Sequence, residues 1–292
     1  MPDITQAMID LYDHYTHVGL DRRALMAGLV KLTGSAATAA AVVPMLEASP
    51  AAASITDAAD PQLHSETIQW PDGGQHELAG YLVRPVAAKR KLGTVIVIHE
   101  NRGLTEHIRD VARRLALKGY LVLAPDYLAP AGGTPTDEDK ARTMIGALDR
   151  AATVADGVAT VDYAAKLTGG NGRVGAVGFC WGGGMVNAVA CAAGDRLAVA
   201  VPYYGPQPDA AAVPAIKAHM VLHYAGLDDR IDAGIPAYEA ALKAARVRYE
   251  LYVYPGVNHA FNNDTAAQRY DKAASDLAWT RTLAALDTGL NR

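Results

Sequence analysis

One stretch of the chain limits the possible folds more than any other: residues 174–184, which read VGAVGFCWGGG. A valine-rich apolar run ends at Gly178, and Cys180 lies between glycines before a helical pattern begins. G-x-C-x-G is the pattern of a sharp strand-to-helix turn that carries a nucleophile, with cysteine in place of the usual serine. The glycines are needed because side chains beside such a strained turn would collide with their neighbours. A glycine-rich turn around a buried structural cysteine is the alternative interpretation.

Strand and helix patterns alternate from residue 62 onward. Apolar runs typical of strands buried on both faces occur at residues 94–99, 120–124, 174–178, 197–203, 219–224 and 248–254. Helical patterns occupy residues 106–118, 137–150, 152–166, 182–193, 236–245 and 266–286, with a long loop at residues 125–133. Residues 64–84 alternate in polarity around a turn at residues 71–74, which predicts an antiparallel hairpin. We therefore predict an α/β fold with a mostly parallel central sheet and helices on both faces.

Residues 1–60 are predicted to be a helical extension followed by a linker at residues 48–61, ahead of a main domain at residues 61–292. Arg22 and Arg23, followed by an apolar stretch of small residues, are similar to a twin-arginine export signal. The other interpretation is a helix that packs on the domain or on a second subunit of a homo-oligomer. We favour this packed helix and a cytoplasmic location over export. Lys31 and the many alanines and glycines argue against a stable membrane span.

Composition and cysteine count narrow the class of protein. A net charge of −4, with 50% hydrophobic and 20% charged residues, fits a globular protein and gives no basic surface for nucleic acid. The two cysteines, Cys180 and Cys191, lie along one strand–turn–helix and are poorly placed to form a disulfide. Cys191, in an alanine-rich helix, is expected to be a small buried apolar residue.

A cysteine nucleophile needs a general base and a group that orients the base. When the chain order is nucleophile, acid, histidine, the acid and the histidine follow later strands of a parallel sheet. Asp228 and Asp229 follow the strand that ends at Tyr224, and His259 follows the last strand. Because these strand ends meet at one sheet edge, we predict His259 as the base and Asp228 as the acid. Asp229 is the alternative acid, or else a cap for the next helix.

Two backbone N–H groups are predicted to stabilise negative charge on a reacting carbonyl oxygen. They belong to Trp181, directly after the cysteine, and to Asn101, in the loop after the first buried strand. Glu100, in the same loop, is placed close enough to accept the thiol proton and to poise the sulfur. A solvated loop glutamate is the alternative interpretation of Glu100.

Taken together, these residues resemble the dienelactone hydrolase family of α/β-hydrolases. The resemblance runs from about residue 65 to the C-terminal helix. It rests on residues 99–103 (HENRG), 125–126 (PD), 178–183 (GFCWGG), 203–205 (YYG), Asp228 and residues 259–261 (HAF). It implies a Cys-His-Asp triad that cleaves a small-molecule lactone or carboxylic ester through an acyl-cysteine intermediate, with no metal or organic cofactor. It also implies that Glu100 pairs with the resting thiol.

One position departs from the family's pattern. Dienelactone hydrolases carry an arginine four positions after the catalytic histidine, where it binds the substrate carboxylate, and this chain has Asn263 there. Arg102, Tyr204 and Phe261 are the predicted substrate contacts, and Arg142 and Arg230 could also replace the missing arginine. The resemblance therefore predicts the chemistry and leaves the substrate open.

Three other functions fit parts of the sequence. A catalytically idle scaffold that acts as a binding or assembly module would explain the fold but not an ordered triad. A dinucleotide-binding enzyme is not supported, because the glycines around Cys180 do not give G-x-G-x-x-G. A metal site at His219 and His223 is weak, because their spacing also suits an ordinary strand and no third ligand is evident nearby.

Overall fold

The computed structural model describes residues 2–17, 19–47, 54–72 and 76–291. Part of the predicted linker and part of the predicted hairpin turn, at residues 48–53 and 73–74, lie outside the described residues. The strands are β1 (Leu63–Pro71), β2 (Glu77–Pro85), β3 (Leu92–Ile98), β4 (Leu121–Asp126), β5 (Gly170–Phe179), β6 (Val199–Tyr203), β7 (His219–Ala225) and β8 (Tyr249–Tyr254). The helices are α1 (Gln6–His17), α2 (Arg22–Thr33), α3 (Ala36–Leu46), α4 (Glu106–Leu117), α5 (Glu138–Gly146), α6 (Arg150–Ala164), α7 (Trp181–Ala193), α8 (Asp229–Asp232), α9 (Ile235–Ala244) and α10 (Lys272–Leu290).

The strands form one sheet in the order β1-β2-β4-β3-β5-β6-β7-β8. β2 pairs antiparallel with β1 and with β4, and the remaining neighbours are parallel. Side chains of α4 and α10 pack in an apolar cluster on one face, and those of α6, α7 and α9 pack on the other. β3 and β7 are buried along their whole length, as expected of strands covered on both faces. The predicted α/β fold with a mostly parallel sheet is confirmed.

Three predicted element boundaries are wrong. The helix predicted at residues 137–150 ends at Gly146, and Asp149 caps the next helix by accepting a hydrogen bond from the Ala152 N–H at 2.8 Å. The last helix begins at Lys272 instead of residue 266, because Asp271 caps it through the Ala274 N–H at 2.8 Å. The loop predicted from residue 125 begins only after Asp126, which still pairs with β2.

The described N-terminal residues form three helices with an apolar cluster of their own. That cluster contains Met8, Ile9, Tyr12, Tyr15, Leu25, Leu29, Ala39, Val42, Val43 and Leu46. Arg22 occupies the first turn of α2, which Asp21 caps, and its guanidinium lies 3.2 Å from the Asp139 carboxylate. The apolar side chains pack within this cluster, so the helices give no support to the predicted homo-oligomer. Among the described residues, no single helix is long and apolar enough to span a bilayer; α2 and α3 reach that length only as a pair bent by 113°.

Candidate active site

Cys180 lies in the turn between β5 and α7, with a backbone φ of 57° and ψ of −117°. Non-glycine residues rarely adopt a positive φ, and such strain persists only where the surrounding structure imposes it. Here the Cys180 N–H donates to the Tyr203 carbonyl on β6 at 3.0 Å. A Cβ on Gly178 would lie 2.3 Å from the Gly182 carbonyl oxygen, and a Cβ on Gly182 would lie 2.3 Å from that of Ile98. Both glycines are therefore required for close backbone packing around the strained turn.

His259 and Asp228 lie close together beyond the ends of β8 and β7. His259 Nδ1 is 2.5 Å from Asp228 Oδ2, and both side chains are buried. The other Asp228 carboxylate oxygen accepts a hydrogen bond from the Ile231 N–H at 3.3 Å, which caps α8. Asp229 is exposed in the first turn of α8, so the capping role considered for it belongs to Asp228.

A second histidine, absent from the predicted site, also contacts the sulfur. Nε2 of His17, the last residue of α1, lies 3.0 Å from Cys180 Sγ. The His17 ring packs edge-on against His259, with ring centroids 4.4 Å apart. His259 Nε2 is buried and has no hydrogen-bond partner among the described residues. One ring nitrogen of His17, one of His259 and the Cys180 sulfur all lie within 4.8 Å of one another. The two imidazoles are therefore both adjacent to the sulfur.

The electrostatic surroundings favour a charged sulfur. Burial raises the pKa of the Cys180 thiol, but the His17 and His259 imidazoles outweigh this and lower it to about 6. Burial lowers the pKa of His259, yet the Asp13 and Asp228 carboxylates together raise it well above its ordinary value. Burial also opposes ionisation of Asp228, but His259 holds the pKa of that carboxyl below its ordinary value. A thiolate beside an imidazolium is therefore favoured at neutral pH.

Glu100 is buried beside the site, but its carboxylate is bound elsewhere. Glu100 Oε2 accepts a hydrogen bond from Asn263 Nδ2 at 2.9 Å. Asn263, at the position of the family's arginine, is itself buried and does not line the cavity above the sulfur. Among the described residues, the hydrogen-bond partner of Cys180 Sγ is His17 Nε2 and not Glu100.

Two backbone N–H groups near the sulfur, those predicted to bind an oxyanion, have no acceptor among the described residues. Within the described ranges, the N–H groups of Asn101 and Trp181 donate no hydrogen bond, and both residues line the cavity next to Cys180. The loop that carries Asn101 is held by His99, whose Nδ1–H donates to the Glu100 carbonyl at 2.7 Å. The His99 ring stacks on Trp181 with centroids 5.2 Å apart. These contacts hold the Asn101 loop against the Trp181 side chain, next to Cys180.

The cavity above Cys180 has a volume of about 220 Å³. Of the predicted substrate contacts, Tyr204 lines it. Arg102 is directed to the Tyr12 hydroxyl at 2.7 Å and to the Glu138 carboxylate at 3.1 Å. Phe261 does not reach this cavity, because it is fully buried in the core against Tyr203, Tyr204 and Tyr254. The guanidinium-bearing residues that line the cavity are Arg142 and Arg230.

The two strand histidines considered as metal ligands have other partners. His219 Nε2 lies 3.1 Å from the Glu250 carboxylate, and His223 Nδ1 lies 2.9 Å from the Tyr254 hydroxyl. Burial lowers the pKa of His223 to about 3, so this imidazole stays neutral in the core. Each histidine therefore belongs to its local packing.

The sheet order and the strained turn between β5 and α7 define an α/β-hydrolase, and the comparisons identify the family. The chain belongs to the dienelactone hydrolase family, whose profile matches residues 78–290. A protein of Escherichia coli O157:H7, provisionally named a carboxymethylenebutenolidase, is 32% identical over 251 residues, covering 81% of this chain and 91% of its own. The family prediction is confirmed, and the protein is an enzyme of the esterase and lactone hydrolase class.

Two solved structures support the same fold. The crystal structure of a provisional dienelactone hydrolase from Klebsiella pneumoniae subsp. pneumoniae MGH 78578 matches with a TM-score of 0.67 and 30% identity. It covers 76% of this chain and 98% of that one. A crystal structure of a variant of the esterase rPPE covers 99% of this chain and 98% of that chain, with a TM-score of 0.65 and 18% identity. At 18% identity, the esterase structure supports the fold alone.

Proposed function

We propose that this enzyme hydrolyses a small-molecule lactone or carboxylic ester through an acyl-cysteine intermediate on Cys180. One observation carries the proposal. The sulfur, held on a strained turn, faces the His259–Asp228 pair and two unpaired backbone N–H groups across one cavity. Nucleophile, base, orienting acid and oxyanion donors are the parts that acyl transfer requires.

Acylation begins with the thiolate. Its lone pair forms the C–S bond to the acyl carbon, and the carbonyl electron pair moves onto oxygen, where the Asn101 and Trp181 N–H groups bind the negative charge. The intermediate collapses by breaking the bond to the leaving oxygen, which takes a proton from His259 Nε2. In a lactone this oxygen stays attached to the acyl group, so ring opening gives a hydroxyacyl enzyme.

Deacylation uses the same groups in reverse. Neutral His259 accepts a proton from water while the water oxygen attacks the thioester carbon. Collapse of the second tetrahedral intermediate breaks the C–S bond, releases the carboxylic acid and restores the thiolate. Asp228 holds His259 Nδ1–H throughout, which keeps Nε2 directed at the reacting atoms.

The cavity also supports a proposal about the substrate. Asn263 leaves the family's carboxylate-binding position without a cation, but Arg142 and Arg230 line the cavity. Arg142 is paired with Asp139 at 3.1 Å, and Arg230 lies 3.8 Å from Asp228, so both are partly neutralised. We therefore propose that neutral and carboxylated esters are both accepted, in contrast to a site with one dedicated arginine.

The test is intact-mass analysis after exposure to a panel of lactones and aryl esters, with and without a carboxylate. We expect a covalent acyl adduct on Cys180. Cys180→Ala should reduce turnover by about 1,000-fold or more while the circular dichroism spectrum is unchanged. The matched control is Cys191→Ala, because burial raises the pKa of the Cys191 thiol to about 11 and the residue lies outside the site. Retained turnover in Cys180→Ala would refute the mechanism, and wild-type protein inert toward the whole panel would favour the scaffold alternative.

A further inference from the structure

We propose that His17 is a further catalytic residue: the N-terminal helix α1 supplies the base that takes the proton of the resting Cys180 thiol. The inference rests on the proposed acyl-cysteine chemistry, which needs a thiolate. His17 Nε2 lies 3.0 Å from Cys180 Sγ, within hydrogen-bond distance for sulfur. His17 also lines the cavity above Cys180, so its imidazole lies on the surface that a substrate would contact.

The surroundings of His17 fix its tautomer. Nδ1 lies 2.8 Å from the Asp13 carbonyl oxygen, which can only accept, and 2.9 Å from Thr16 Oγ1, whose own hydrogen is donated to that carbonyl at 3.1 Å. Because both neighbouring oxygens act as acceptors, Nδ1 carries a hydrogen. In the neutral ring, Nε2 then presents its lone pair to the thiol. Proton transfer breaks the S–H bond and forms an Nε2–H bond, and the resulting imidazolium donates to the thiolate across the same contact. No other bond changes, and His259 keeps its own proton for the leaving group.

The other edge of the His17 ring lies close to negative charge. His17 is the last residue of α1, where unpaired carbonyls give the helix end a partial negative charge. The Asp13 carboxylate lies 3.8 Å from His17 Nδ1. A positive charge on His17 therefore meets a carboxylate and a helix C-terminus on the side away from the sulfur.

The family resemblance implies that Glu100 pairs with the thiol. In this chain, however, the Glu100 carboxylate binds the side chain of Asn263. Its Oε2 accepts a hydrogen bond from Asn263 Nδ2 at 2.9 Å. We infer that the two departures from the family's pattern are linked: Asn263 binds the Glu100 carboxylate, and His17 replaces Glu100 as the partner of the sulfur.

α1 is held in place by polar contacts with the sheet domain, so His17 is positioned before substrate arrives. These contacts join Tyr12 Oη to Arg102 at 2.7 Å, Tyr15 Oη to Asp139 at 3.0 Å, and the Thr16 carbonyl to Asn101 Nδ2 at 2.9 Å. Fixed donors and acceptors of this kind hold a catalytic group within the narrow range of geometry that it needs.

Other charged groups face the two imidazoles and the sulfur, and each must be kept when His17 is changed. They come from α1, α5 and α8, from the loops after β3 and β7, and from the segment before α10: Asp13, Glu100, Arg102, Arg142, Asp228, Arg230 and Arg269. A substitution confined to His17 leaves this set intact, so a change in thiol titration reports the imidazole itself.

The test is the pH dependence of Cys180 alkylation by iodoacetamide in the full-length protein, with the adduct located by mass spectrometry. In wild type we expect the rate to rise with pH through a midpoint near the thiol pKa of about 6. His17→Gln should move the midpoint upward by about one unit and slow alkylation below the midpoint roughly tenfold. The matched control is His14→Gln, an exposed residue of the same helix, which should titrate like wild type. His17→Asn serves as a second variant if the first does not fold.

Two results would overturn the role of His17: an unchanged midpoint in folded variants, or faster alkylation at every pH, which would mean that the imidazole only blocks the sulfur. Failure of the proposed function is distinguishable, because alkylation needs no turnover. A shifted midpoint with no acyl adduct in wild type would reject the ester chemistry alone. An acyl adduct with no shift would reject the His17 inference alone.

Discussion

The two imidazoles beside Cys180 come from opposite ends of the chain and differ in how the sequence encodes them. His259 follows the last strand of a parallel sheet, and its partner Asp228 follows the neighbouring strand. His17 ends a helix that lies outside the sheet and reaches the sulfur through side-chain contacts. Groups at the carboxyl edge of the sheet are placed by topology, whereas a group on an added helix is placed by docking. Substitutions on each side test this difference.

The largest effect is expected from Asp228→Asn. An asparagine can donate to His259 Nδ1, which would favour the tautomer with its hydrogen directed at the sulfur and would remove the charge that supports the imidazolium. We expect kcat to fall by about 100- to 10,000-fold, measured with an activated ester near neutral pH.

Asp229→Asn is the matched control for Asp228→Asn, because Asp229 is exposed one residue away. Its kcat should stay within about twofold of wild type. Equal losses in the two variants would mean that the contact between Asp228 and His259 does not orient the base.

The residues at the carboxyl edge of the sheet could be predicted because they follow strands in a recognisable order. Apolar runs located the strands, and the glycines around Cys180 marked the turn. The Glu100–Asn263 contact could not be predicted, because nothing local to either residue encodes a hydrogen bond between side chains 163 positions apart. His17 carries no such signal either: a histidine at the end of an amphipathic helix is usually a surface residue. Helix ends were also misplaced where an aspartate cap, such as Asp271, decides the first turn.

A smaller effect is expected from Asn263→Ala, which removes the amide that binds the Glu100 carboxylate. A buried charged acceptor without its donor is costly, so the free energy of unfolding should fall by about 1–3 kcal/mol, measured by urea denaturation. Glu100→Gln, alone and combined with Asn263→Ala, completes a double-mutant cycle that isolates the pair.

The thiol titration of Asn263→Ala should stay close to that of wild type, because Glu100 does not contact the sulfur in the resting geometry. A midpoint shift in Asn263→Ala as large as that of His17→Gln would mean that Glu100, and not His17, accepts the thiol proton. All the functional groups of the site would then come from the carboxyl edge of the sheet, and none from α1.

The smallest effect is expected from Tyr15→Phe, which separates the docking of α1 from the chemistry of its last residue. The substitution removes the hydrogen bond to Asp139 but keeps the ring beneath the Arg142 guanidinium, 4.1 Å from the ring centroid. We expect a loss of about 0.5–1.5 kcal/mol in unfolding free energy and an unchanged alkylation midpoint, because the remaining contacts still hold His17. If weaker docking shifts the midpoint as far as His17→Gln does, the position of the helix, rather than the imidazole it carries, controls the sulfur.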